Sequence, residues 1–281
     1  MSSYKLLRVL KDLGISLEII IYLIIGLSGG ILAGMFGIGG GIVIVPALIF
    51  FLHFSPQVSN GTSLFALLLP VGILGALAYH RAKLIDLKAA LWIDLGLFLG
   101  ISGGAVTALS VSPNLLKMIY GIFLLFISYR FIQPMDLSRS RKNVSKTTSS
   151  NTMTQQSTLT SRSIWKQVTI GLFAGILAGL FGIGGGIVIV PALIVWLGYD
   201  QKTASGTSLA ALLLPVGLPG VLIYFHAGQF DLQSAIYVAS GLLIGALFGA
   251  LFAIRMPSKI VNRLYGIFLL FVGVTFIVGA I

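Results

Sequence analysis

A chain of 281 residues that is 57% hydrophobic and 9% charged, with a mean hydropathy of +1.04, is not a water-soluble globule, which carries roughly 25% charged residues. Its net charge of +11 comes from Lys and Arg confined to loops and ends, the pattern of an oriented membrane protein rather than of a nucleic-acid binder. The lack of Cys excludes disulfides, thiol nucleophiles and thiolate metal sites.

The apolar segments follow in order. Residues 13–35 come after Lys5, Arg8 and Lys11; the run is too long for a signal peptide and lacks a clean cleavage site, so it reads as the first membrane helix. Residues 41–54 are too short for an ordinary span, which predicts a re-entrant or broken helix. Residues 62–80 open with Gly61-Thr62-Ser63 and carry Pro70 in their middle. Residues 89–110 hold Asp94, and 115–132 complete the set. A stretch rich in Ser, Thr, Asn and Gln, residues 133–163, cannot bury enough apolar surface to fold; it reads as a disordered cytoplasmic linker. The second set is 164–180, 186–199, 207–225, 232–254 and 259–280. Period-2 alternation of the membrane-barrel kind is absent.

Adding 145 to a residue number makes the chain repeat itself without a gap. Phe36–Leu48 and Phe181–Leu193 both read FGIGGGIVIVPAL; Gly61-Thr62-Ser63-Leu64 meets Gly206-Thr207-Ser208-Leu209, and Pro70 meets Pro215. The expected architecture is therefore an all-α polytopic integral membrane protein. Two homologous repeats of four to five hydrophobic segments occupy 1–132 and 164–281, with a broken or re-entrant glycine-rich segment in each. Loop charge favours inverted repeats: the basic Arg81–Lys88 loop has a counterpart, His226–Asp231, whose one formal charge is Asp231, while basic Arg255–Arg263 corresponds to a segment holding only Lys117. The basic N-terminus fits parallel repeats better, so both arrangements stay open.

The glycine stretch is no nucleotide loop, because neither G-x-x-x-x-G-K-[ST] nor a soluble βαβ context is present. Close helix packing is one reading. The other is a deliberate break at Gly37, Gly39, Gly40 and Gly41, and at Gly182, Gly184, Gly185 and Gly186, reinforced by Pro46 and Pro191. Broken backbone at membrane depth must be satisfied by protein or by a wet cavity. A helix starting there aims free N–H groups into that cavity, which suits an anion. Thr62, Ser63, Thr207 and Ser208 read either as helix caps or as donors to the same anion. Pro70 and Pro215 read as kinks or hinges. Asp94 is a candidate for proton coupling; its counterpart is Ala239. No catalytic triad, acidic pair or metal-binding spacing is present, so enzyme chemistry, metals and cofactors are not expected.

The duplicated G-x-G-G-G…P-A-L followed by G-T-S-L, then Tyr79-His80-Arg81 with Asp86 and Tyr224-Phe225-His226 with Asp231, resembles the sulfite exporter TauE/SafE family over nearly the whole chain. The resemblance implies a plasma-membrane permease for sulfite, organosulfonates or related anions. Its implied partners are a small anionic substrate and the bilayer, with no nucleic acid. Export is the expected direction, since an inside-negative potential already favours it. A passive channel and a non-transporting scaffold or sensor are the rival expectations.

Overall fold

A computed structural model describes residues 17–70, 72–132, 155–215, 217–255, 267, 270–271 and 273–278. Every regular element among these is a helix. In chain order they are α1 (Leu17–Phe36), α2 (Gly41–Leu52), α3 (Pro56–Leu68), α4 (Ile73–Arg81), α5 (Leu87–Ser110), α6 (Pro113–Ile132), α7 (Gln155–Phe181), α8 (Gly186–Leu197), α9 (Gln201–Ala211), α10 (Leu218–His226) and α11 (Leu232–Arg255). Residues 267, 270–271 and 273–278, within the predicted last segment, are helical as well. Four helical stretches are long and apolar enough to cross a bilayer: Leu17–Phe36, Leu87–Ser110, Ile164–Phe181 and Leu232–Arg255; α3 with α4 makes a fifth candidate, bent by 48°. α2 and α8, at 12 residues each, rise about 18 Å and fall short of a crossing.

Four expectations change. The G-T-S motifs do not open their helices. α3 starts at Pro56, capped by the Ser55 hydroxyl, and α9 starts at Gln201, capped by the Asp200 carboxylate; Thr62, Ser63, Thr207 and Ser208 lie a turn or more inside. Pro favours the first helical position and Ser or Asp the cap before it, which moves the start upstream. The predicted spans 62–80 and 207–225 are each two helices, interrupted at Leu69–Gly72 and Leu212–Gly217, where Pro70 and Pro215 sit. Pro46 and Pro191, by contrast, lie within uninterrupted helices, so the discontinuity belongs to the glycines alone. The linker stretch 133–154 lies outside the described residues, whereas α7 begins at Gln155, inside the segment read as linker.

Two long helix pairs carry the molecule: α1 runs along α11, and α5 along α7. Small residues set their separation. A Cβ placed on Gly26, Gly30 or Gly34 would lie 2.0, 2.4 or 2.1 Å from the carbonyl oxygen of Val238, Leu242 or Ala246. The same relation holds for Gly171, Gly175 and Gly179 against Ile93, Leu97 and Ile101, at 2.0, 2.5 and 2.1 Å. Such small-xxx-small seams let backbones approach where lipid offers no hydrophobic drive. Because ascending numbers meet ascending numbers, both pairs are parallel.

The remaining contacts fix the ends. Leu84 and Ile85, between α4 and α5, pack with Ala253 and Ile254 at the finish of α11, and Lys202 near the start of α9 donates to the Ile254 carbonyl at 2.7 Å. This end carries Arg81, Lys83, Lys88, Lys166, Lys202 and Arg255 against Asp86 and Asp200. At the opposite end lie the starts of α1, α3, α6 and α11; Gln57 there donates to the Val111 carbonyl beyond α5 at 3.2 Å. Its described charges are Lys117, Glu18 and Asp231.

Candidate functional site

The two glycine loops meet. Gly37, Gly39 and Gly40 have φ of 70°, 86° and 80°, and Gly182, Gly184 and Gly185 have 68°, 75° and 79°. Left-handed backbone of this kind is open to glycine and costs other residues roughly 1–2 kcal/mol each. The loops also touch. A Cβ on Gly39 would lie 3.8 Å from the Gly184 Cα, and one on Gly41 only 2.3 Å from the Gly182 carbonyl oxygen, with Gly186 equally close to that of Gly37. Among the described residues no acceptor meets the amides of Gly39, Gly40, Gly41, Gly184, Gly185 or Gly186. These are the orphan donors of two helix starts, α2 and α8, brought to one place from opposite halves of the sequence.

Between the loops lies a cavity lined by Gly39, Gly184, Gly72, Gly217, Ala33 and a ring of apolar side chains that includes Leu64, Leu97, Leu209 and Leu242. About 30 Å³ is open to the centre of a water-sized sphere; one water needs roughly 10–15 Å³ by that measure, so two or three would fit. Both interruptions, after α3 and after α9, reach the cavity through Gly72, Leu212, Leu214 and Gly217.

The hydroxyls expected to serve as anion donors are bonded elsewhere. Ser63 Oγ donates to the Gly182 carbonyl at 2.7 Å, and Ser208 Oγ to the Gly37 carbonyl at 2.6 Å. Thr62 Oγ1 accepts from the Asp231 amide at 2.9 Å, and Thr207 Oγ1 from the Asp86 amide at 3.0 Å. All four side chains are fully buried, and none lines the cavity. They fasten each glycine loop, and each post-helix loop, to the other half of the chain. Tyr79 and Tyr224 instead tie within their own halves: their hydroxyls donate to the carbonyls of Gly34 at 3.1 Å and Gly179 at 2.9 Å. Every one of these bonds has its counterpart 145 residues on. His80 and His226, beside those tyrosines, are exposed.

The tie between Tyr199 and Asp86 lacks a counterpart. Tyr199 Oη donates to Asp86 Oδ2 at 2.6 Å, while Phe54 stands at the matching position and Asp231 accepts instead from Ser234 Oγ at 2.8 Å. Burial, then the hydrogen bond and charge of Asp86, hold the Tyr199 phenol above its ordinary range, so it keeps its proton throughout the physiological range. No cluster of three His, Cys, Asp or Glu capable of holding a metal occurs among the described residues.

The family model described as sulfite exporter TauE/SafE matches residues 22–276. The chain belongs to the sulfite exporter TauE/SafE family. The probable membrane transporter protein YunE of Bacillus subtilis is 28% identical over 267 residues, covering 92% of this chain and 96% of the relative. YdhB of the same organism, also named a probable membrane transporter protein, is 25% identical over 233 residues, 83% and 89% of the two chains. A probable membrane transporter protein of Haemophilus influenzae is 24% identical over 275 residues, 91% and 97%. No solved structure matches the chain significantly. TauE/SafE membership makes this a membrane transporter with a small-molecule substrate, and its long apolar helices fit a multi-pass membrane protein.

Proposed function

We propose that the protein is a secondary transporter that moves small sulfur-containing anions, sulfite or organosulfonates, outward across the plasma membrane. The observation that carries this reading is the meeting of two glycine loops, their amides without acceptors, at one apolar cavity. Gly39 and Gly184, which line the cavity, offer their amides in place of the anion's hydration, and Gly40, Gly41, Gly185 and Gly186 behind them, at the positive ends of α2 and α8, add to the attraction. Apolar walls strengthen it by excluding water. Ser63, Ser208, Thr62 and Thr207 hold the donors in place from the opposite half.

Inverted repeats supply the alternating access. α1 is parallel to α11 through their glycine seam, and α4 follows α11 in the same sense, with Gly75 beside Ala246 and Tyr79 beside the Ala250 cluster. α5 turns back from α4 after the short loop at Ala82–Asp86, so it opposes α1, and α7 runs with α5. α1 and α7, the matching first helices, therefore point opposite ways. The cationic end faces the cytoplasm by the positive-inside rule, which puts the linker there too. An anion that crosses with net negative charge is driven outward by the inside-negative potential.

Purified protein in liposomes, offered sulfite, sulfate, sulfoacetate and a carboxylate, tests the substrate class. Saturable flux of at least one sulfur anion is expected. Flux of none, or of the carboxylate alone, overturns it.

A further inference from the structure

Asp94 is the one carboxylate among the described residues that is both buried, at 5% exposure, and without a hydrogen-bond partner on either oxygen. It stands on α5 between Ile93 and Leu97, both completely buried. Leu97 and Ile101, one and two turns further along the same helix face, line the cavity between the glycine loops. Asp94 thus continues the cavity wall toward the cationic end.

Among the described residues its surroundings offer no compensating charge. α8, which shares the apolar cluster of Ile93 and Leu97, carries no titratable residue. On α7, Lys166 is exposed. On α9, Lys202 is engaged with the Ile254 carbonyl. On α10, Tyr224 is bonded to the Gly179 carbonyl and His226 is exposed. Lys88, on α5 itself, is exposed as well. An ionised carboxylate left alone in such a place is strongly disfavoured, whereas a neutral carboxylic acid is tolerated far better. The matching position, Ala239, sits in an apolar cluster with Tyr22, Ile44 and Leu242, so the feature belongs to one half only.

We propose that Asp94 is a proton-binding site linked to anion occupancy of the cavity, so that one proton crosses with each anion. The inference rests on the cavity being the anion's path. In the closed arrangement Asp94 holds a proton. When the cavity opens to water on one side, the carboxyl O–H bond breaks and the proton passes to solvent; on the other side a solvent proton restores it. An anion one turn away repels a carboxylate and favours the acid, and by linkage protonation tightens the anion to the same degree. The charges are consistent with export: a sulfite dianion with one proton still carries one net negative charge, on which the membrane potential acts.

Carbodiimides attack protonated carboxyls in apolar surroundings, which gives a readout independent of transport. Dicyclohexylcarbodiimide should modify Asp94 in wild-type protein, read by peptide mass spectrometry. Modification should fall as pH rises, and added sulfite should restore it at least twofold at alkaline pH. Asp94→Asn should lose the adduct; Asp94→Ala, which copies the Ala239 site, guards against a folding artefact. In liposomes holding a pH dye, outward sulfate flux should alkalinise the lumen in wild type and in Asp94→Glu, whereas any flux surviving in Asp94→Asn should move no protons. An unmodified Asp94 at every pH, or anion flux with no proton movement in wild type, overturns this inference and leaves the anion reading intact. No flux of any sulfur anion overturns the anion reading and with it the linkage.

Discussion

Ser63 and Ser208 illustrate how a correct motif can carry a wrong expectation. From sequence, a G-T-S after a glycine break reads as a cap or an anion donor. The chain uses both serines to hold the carbonyls of Gly182 and Gly37, across 119 and 171 positions, and no local pattern encodes a partner so far away. Their duplication was legible, but what they touch was not. Each hydroxyl satisfies a buried carbonyl beside left-handed backbone, so its removal leaves an acceptor unpaired at a cost of about 1–3 kcal/mol. Ser63→Ala and Ser208→Ala should therefore each lower the thermal midpoint in detergent by several degrees and slow anion flux by a similar factor, because the two bonds are equivalent. A midpoint unchanged in both variants would mean that the loops are held by their backbone alone.

At the scale of elements, the short apolar helices, the long apolar spans and the glycine break were legible, because length and glycine clustering act locally. The helix interruptions at Leu69–Gly72 and Leu212–Gly217 were legible as prolines at Pro70 and Pro215, but not as full breaks, since a proline in lipid either kinks or ends a helix according to its neighbours. The seams were present in the sequence as well. Gly26, Gly30 and Gly34, and again Gly171, Gly175 and Gly179, recur at the four-residue spacing of close helix contact, a signal overshadowed by the louder GIGGG. The seams invite a paired test. A methyl on Gly30 would meet the Leu242 oxygen at 2.4 Å, whereas one on Gly103, on the exposed side of α5, meets nothing within 4 Å. Gly30→Ala must push α1 from α11 and should cost about 1–3 kcal/mol. Gly103→Ala removes a helix-weakening glycine and should gain up to about 1 kcal/mol. Thermal unfolding should move in opposite directions for the two; a fall of equal size in both would deny the seam its special role.

For the whole molecule, the proposed arrangement binds repeat, charge and transport into one claim. If the matching halves point opposite ways, then matching loops must lie on opposite sides of the membrane. Ala82 and Ala227 are 145 residues apart, each follows a matching helix, α4 or α10, and each is exposed. Ala82 sits at the cationic end and Ala227 at the other. The native chain contains no Cys, so a single introduced thiol reports one position without interference. Under inverted repeats, a membrane-impermeant thiol reagent applied to intact cells should label Ala227→Cys, and should label Ala82→Cys only after the membrane is permeabilised. Asn114→Cys and Lys88→Cys, both exposed, should behave as Ala227→Cys and Ala82→Cys respectively. Labelling of Ala82→Cys and Ala227→Cys from the same side would make the repeats parallel, and a rocking motion of one inverted half against the other could not then be the transport step. Labelling of Ala82→Cys alone from outside would keep the inversion and reverse the orientation, so the linker would lie outside and the positive-inside argument would fail for this chain.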